Sequence, residues 1–194
     1  MKHAHLVVTI IVSLAMIAGC SKKKTQSKQE GQVQSATPAA AVPNAVAGIH
    51  WNVPDDWTAG PRQEMRAATY SAPAPKEGLE PGECGVFYFG NGQGGSVEDN
   101  LKRWISQFEN GGKHEFSTKE VNNLKVTTVR ISGTYLSPSG PMMQSQGKKP
   151  NYRLLGAIVE TPEGMVFFKF TGPEQTAAAN ESDFNQLVNS LQKD

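Results

Sequence analysis

The chain is poor in cysteine, in histidine, in aromatic residues and in charge of either sign. Its 194 residues contain two cysteines, which leaves no room for a disulfide framework. Of four histidines, only His50 and His114 lie beyond the first few residues, and neither stands at metal-ligand spacing. No H-E-x-x-H or C-x-x-C pattern occurs, so no metal or cofactor is expected. Serine never stands in the G-x-S-x-G context of a hydrolase nucleophile. The formal net charge is +1, and no basic patch is evident, which argues against a nucleic-acid partner. No apolar run reaches the roughly 20 residues a membrane-spanning helix needs.

What is present begins with an address. Lys2 precedes an uncharged apolar run from Leu6 to Ile17, about the length of a secretory signal core. Ile17-Ala18-Gly19-Cys20 follows and resembles the lipobox of bacterial lipoproteins. The resemblance implies that residues 1–19 are removed and that Cys20 carries lipid, palmitate among its acyl chains. Membrane attachment through Cys20 is therefore expected in a bacterial cell envelope. Ser21, where Asp would imply inner-membrane retention, points to the periplasmic face of the outer membrane if the cell is Gram-negative. One buried acyl chain anchors only marginally, and two or three hold firmly.

Residues 20–48 read as the lipidated cysteine and a disordered linker, rich in Lys, Gln, Ser, Ala and Pro and without an aromatic residue. As a flexible coil the linker would span roughly 30 Å. Lys22, Lys23 and Lys24 would face anionic head groups. The domain is expected at 49–194, a size sufficient for one hydrophobic core. Within it Cys84 lies in a β-prone run, Cys84 to Phe89, and reads as a small buried hydrophobe.

Alternation predicts strands over 49–53, 65–71, 85–89, 114–119, 126–135, 152–160 and 165–171. Asn122-Asn123 and Thr161-Pro162-Glu163-Gly164 read as hairpin turns. Val97, Leu101, Trp104, Ile105 and Phe108 form one apolar stripe and predict a helix. Ser96 and Asp99 cap its start and Gly111-Gly112 ends it. A second helix is expected through Phe184, Leu187, Val188 and Leu191, with Pro173 opening a short helical turn before it. This order predicts an α+β domain, an antiparallel sheet packed between helices.

Trp51-Asn52-Val53-Pro54 with Trp57, the helix Arg103 to Phe108, and Phe167 to Pro173 followed by Phe184 to Leu191 resemble the PsbP-like superfamily. The resemblance implies an α/β/α sandwich and no activity, since members mostly bind or support other components. No functional residue transfers with it. Gly90 to Gly95 fits G-x-G-x-x-G, but Glu98 and Asp99 stand where a phosphate would sit and Ser96 can occupy the free amides. A glycine turn is the expected reading there. Residues 137–151 form a long loop with a methionine pair, Met142 and Met143, and a basic tip, Lys148 and Lys149. These four are the expected contact residues for a partner in the envelope. The functional expectation is a lipid-anchored, non-enzymatic envelope protein that binds or supports another component. The alternative is a small-molecule binder or enzyme using a pocket that sequence does not display.

Overall fold

The structure, a computed structural model, describes residues 44–61, 63–139, 144, 145 and 147–194. The signal at 1–19, Cys20, the linker up to residue 43, and Met142 and Met143 lie outside the described residues. Of the loop residues 138, 139, 144 and 145, only the backbone is described.

Strand pairing is present before residue 49. Strand β1 (Ala45–Val46) pairs with β2 (Ile49–His50) inside the span assigned to the linker. Ala47 is buried, and Val46 packs against the core. Residues 44–48, read from composition as linker, are thus paired with and packed on the domain. Small, polar-looking residues mislead here because the turn at Ala47-Gly48, both at positive φ, folds them onto the domain. The predicted strand at 49–53 shrinks to two residues. Trp51 beyond it drops into the core, its indole N–H donating to the Tyr70 hydroxyl at 3.1 Å.

After the two-residue β3 (Thr58–Ala59), the chain enters β4 (Ala68–Ala72) and β5 (Gly82–Tyr88). Helix α1 (Val97–Ser106) crosses over to β6 (Lys113–Val121) and β7 (Leu124–Tyr135). A short β8–β9 pair (Pro138–Ser139, Gln144–Ser145) interrupts the loop that leads to β10 (Lys149–Thr161) and β11 (Gly164–Pro173). Two helices close the chain, α2 (Glu174–Ala179) and α3 (Glu181–Asn189), before β12 (Gln192–Lys193) returns to pair with β2.

Among the described residues seven strands form one antiparallel sheet in the order β3-β4-β5-β11-β10-β7-β6. Period-two alternation splits its side chains between two cores. Leu155, Ala157, Val159, Phe168 and Phe170 face α2 and α3, with Phe184, Leu187 and Val188 packed on them. Leu154, Ile158, Phe167, Val129 and Ile131 face α1, with Leu101, Trp104 and Phe108 packed on them. The domain is therefore α+β, an antiparallel sheet between helices.

Local chemistry explains the elements. The Ser96 hydroxyl accepts from Asp99 N–H at 3.1 Å while Asp99 accepts from Ser96 N–H, the expected capping box. The helix stops at Ser106, and a 3-10 turn (Glu109–Gly111) carries the chain to Gly112. Pro173 is the N-cap of α2, one position earlier than predicted. Asn122 and Asn123 both adopt positive φ, the two-residue turn that matches strand twist. Gly156 leaves the space in which Trp104 sits, since a Cβ there would lie 2.3 Å from the indole ring.

Candidate functional site

One end of the α1 face is not covered by the helix. There β5, β11, β10 and β7 floor a cleft of about 380 Å³. At its base stands Lys169 of the central strand β11. Its cross-strand neighbours are Gly85 on β5 and Gly156 on β10, so no side chain flanks it within the sheet. Its ammonium donates to Gln107 Oε1 at 2.7 Å and to the Tyr135 hydroxyl oxygen at 3.2 Å. Gln107, the C-cap residue of α1, and Tyr135, at the end of β7, are both buried.

The charges around Lys169 are already paired with one another. Arg66 Nη1 meets Glu83 Oε1 at 2.9 Å, and its guanidinium lies over the Phe87 ring at 5.3 Å. Lys149 Nζ meets Glu80 Oε2 at 3.0 Å and the Tyr152 hydroxyl at 3.1 Å. The Tyr152 hydroxyl also donates to Glu80. Among the described residues Lys169 itself has no ion-pair partner. Two of its three donors are engaged and the third is free for the cleft.

Burial, with a smaller push from the Arg66 charge, lowers the Lys169 ammonium from 10.5 to about 8; Glu83 opposes this. Burial raises the Tyr135 phenol to about 12. The Tyr152 hydroxyl and then Lys149 hold the Glu80 carboxyl below its usual range. The Tyr135 and Tyr152 rings stack at 6.0 Å with 5° between planes, forming a flat aromatic wall beside the cation. Paired charges, an aromatic wall and one half-buried ammonium with no ion pair among the described residues form an arrangement chemically suited to a single negative charge on a flat or apolar body.

Of the four expected contact residues, Lys149 lines the cleft, Lys148 does not, and Met142 and Met143 lie outside the described residues. Ser137, at the other end of the long loop, also lines it. Lys149 belongs to β10, not to a loop tip, and Lys148 is drawn to Glu109. Neither projects as a free cation. Cys84 is fully buried with its thiol pushed upward, chiefly by desolvation, as a small hydrophobe should be. Trp57 is buried too, its indole N–H donating to Asn180 Oδ1 at 3.0 Å. Gly90, Gly92, Gly94 and Gly95 all have positive φ, and Asn100 Nδ2 binds the Gly94 carbonyl at 2.8 Å. β5 leads through α1 to an antiparallel edge strand, not to a parallel neighbour, so the glycine run is a turn. Among the described residues no three His, Cys, Asp or Glu converge on a metal position. No described helix is long and apolar enough to cross a membrane.

No protein-family model matches the chain, and no curated protein does. Among the solved structures similar to it are two of low sequence identity. The solution structure of cyanobacterial PsbP (CyanoP) from Synechocystis shares 8% identity at a TM-score of 0.46, covering 82% of this chain and 99% of that one. The crystal structure of a Pseudomonas aeruginosa protein of unknown function shares 10% identity at a TM-score of 0.43, covering 70% of this chain and 96% of that one. At these values the fold rests on the chain's own sheet and helices, and the site on its own residues.

Sequence reasoning missed Lys169, Gln107 and Tyr135. A signal for the lysine was there. Phe167, Lys169 and Thr171 share one face of a strand whose other face is Phe168 and Phe170. A single cation at an inward position of an aromatic strand is a partly desolvated charge that needs a partner.

Proposed function

We propose that this chain is a membrane-tethered, non-catalytic binding protein whose PsbP-like domain holds a small organic acid in the Lys169 cleft. The carrying observation is the ammonium of Lys169, half-buried at the cleft base with Gln107 and Tyr135 as its hydrogen-bond partners and, among the described residues, without an ion pair. A buried charge costs stability unless it is paired, and a carboxylate ligand supplies the pair. The cleft favours the small-molecule alternative over a purely protein partner. The loop at 137–151 leaves and re-enters the fold at the cleft rim through Ser137 and Lys149. Met142, Met143, Lys148 and Lys149 remain the proposed contact residues for the ligand or whatever delivers it. The superfamily assignment is supported by the sequence resemblance together with the sheet between helices. The tether is supported by the apolar run and Ile17 to Cys20.

The test is calorimetric titration of the full chain in detergent with benzoate, acetate and inorganic phosphate. Benzoate should bind one per chain and more tightly than acetate, because its ring meets the tyrosine wall. Lys169→Met should weaken that binding at least tenfold without lowering the melting temperature. Benzoate binding that Lys169→Met leaves intact, or no binding of any of the three at millimolar concentration, would overturn the reading.

A further inference from the structure

Strand β6 closes one edge of the seven-stranded sheet, and it is exposed from Lys113 to Glu120 without a break. Its inner neighbour is β7, and among the described residues its outer side has no strand. Phe116 in its middle is 61% exposed, one of only a few large apolar side chains so placed among the described residues. An exposed edge of this length normally invites uncontrolled pairing and is blunted by charge. Here the charges are arranged so that they select one pairing.

The direction of the free backbone groups follows from the hairpin. The two-residue turn Asn122-Asn123 makes Val121 and Leu124 a hydrogen-bonded pair. The alternation then places the odd residues of β6 in hydrogen-bonded pairs with β7. The N–H and C=O groups of His114, Phe116, Thr118 and Glu120 point to the open edge. An antiparallel strand whose even residues meet those even residues would satisfy all of them.

We infer that the open edge of β6 is a self-association surface, occupied by β6 of a second copy of this chain, antiparallel and centred on Ser117. In that register Glu115 stands opposite Lys119 of the second copy, and His114 opposite Glu120 of the second copy, each pair occurring twice by symmetry. Phe116 stands opposite Thr118 of the second copy and diagonal to the second Phe116, within reach of an aromatic ring. The free even groups pair with one another, and Ser117 meets its own counterpart at a non-hydrogen-bonded position. Neighbouring registers lose the match. Centring on Phe116 sets Lys113 against Lys119. Centring on Thr118 leaves Glu115 opposite Val121 and Glu120 opposite Phe116. Centring on Lys119 opposes two lysines, and centring on Glu115 opposes two glutamates. Like charges directly opposite destabilise three of these pairings, and the Thr118-centred one forms no ion pair, so the Ser117-centred register is favoured. Internal contacts leave the surface usable. Arg130 takes one carboxylate oxygen of Glu115, and Lys119 gives one donor to Asn189 Oδ1 at 2.7 Å. The second carboxylate oxygen and two ammonium donors remain for the facing copy. The surface lies at the opposite edge of the sheet from β3 and does not draw on the ligand-binding reading.

The experiment is oxidative cross-linking of the full chain in its membrane, read on a non-reducing gel. Non-hydrogen-bonded antiparallel neighbours have Cα atoms about 4.5 Å apart, which a disulfide spans. Ser117→Cys should therefore form a covalent dimer. Lys113→Cys should not, because its two copies would lie roughly 27 Å apart along the paired strands. Adding Lys119→Glu to Ser117→Cys should cut the cross-linked fraction about tenfold by setting Glu115 against a glutamate. The further exchange Glu115→Lys should restore it. Thr118→Pro, which removes an outward N–H and spares the β6–β7 ladder, should abolish it independently of charge. Equal cross-linking at positions 113 and 117, no cross-link at 117, or a dimer indifferent to both Lys119→Glu and Thr118→Pro would overturn the inference.

Discussion

Lys169 links stability to function at the scale of one residue. Its ammonium loses a proton near pH 8 in the folded chain and near 10.5 when exposed. Between those values the unfolded chain holds more protons, so this group makes stability rise with pH from about 8 and imposes its full penalty below that. Tyr135 and Tyr70, both raised to about 12, act oppositely from about pH 10 upward, where the unfolded phenols ionise first. The expected record is a urea midpoint that climbs from pH 7.5 to 10 in the wild type and is flatter in Lys169→Met. At pH 7 that substitution should stabilise the domain by about 1–3 kcal/mol, as removal of a desolvated charge does. A midpoint lowered by Lys169→Met would show that the lysine is structural. Affinity for benzoate should fall as pH rises through about 8, because the free protein then loses the charge that the ligand needs. Cys84, on the opposite face of the sheet, should resist alkylation in the native state and react on unfolding.

At the scale of elements, two contacts decide how helices and turns sit on the sheet. Gly156→Ala would place a methyl 2.3 Å from the Trp104 ring and 2.9 Å from Val129 Cγ1. Neither the indole, pinned under α1, nor the sheet can retreat freely, so the change should cost about 1–3 kcal/mol, read as a lower melting temperature. Asn122 serves the β6–β7 turn twice. It tolerates φ of 48°, and its amide donates to the Leu191 carbonyl at 2.8 Å. Asn122→Ala loses both and should cost about 1–2 kcal/mol in a denaturant titration. Asn123→Gly keeps the amide of Asn122 and suits the turn, so it should leave stability unchanged or raise it slightly. The ion-pair network of Arg130 and Arg153 with Glu115, Glu174 and Glu181 ties α2 and α3 to β10 and β7 in the same way, across the sheet from the cleft.

For the molecule as a whole, the proposed tether, ligand and edge contact each carry a prediction. The tether reading predicts that mass spectrometry of the membrane fraction finds the mature chain beginning at a lipid-modified Cys20, and that Cys20→Ala releases an unlipidated domain. An unmodified Cys20 in the wild type would sink that reading while leaving cleft and edge untouched. A chain confined to a membrane meets its own copies at high local concentration, the condition under which a modest edge contact becomes occupied. Ligand in excess of its dissociation constant should also protect the domain. A hundredfold excess adds about 2.7 kcal/mol to the folded state, a rise in melting temperature that Lys169→Met should erase.

Periodicity and end chemistry were legible in the sequence because they depend on neighbours in the chain. The capping box of α1, the two hairpin turns, the alternating faces of β7 and the α+β class all follow from residues a few positions apart. The pairing of Ala45 and Val46 was not legible, because they have no strand signal until Ile49 and Gln192-Lys193 lie alongside. Nor was the cleft. It requires Gly85 and Gly156 on either side of Lys169, Gln107 at the end of a helix and Tyr135 at the end of another strand, and no spacing in the sequence relates these five. The charges of β6 could be read in order, but their self-complementarity had meaning only once that strand was shown to be an edge. Local free-energy preferences select the elements; which of their polar atoms remain unpaired is decided only when the sheet is assembled.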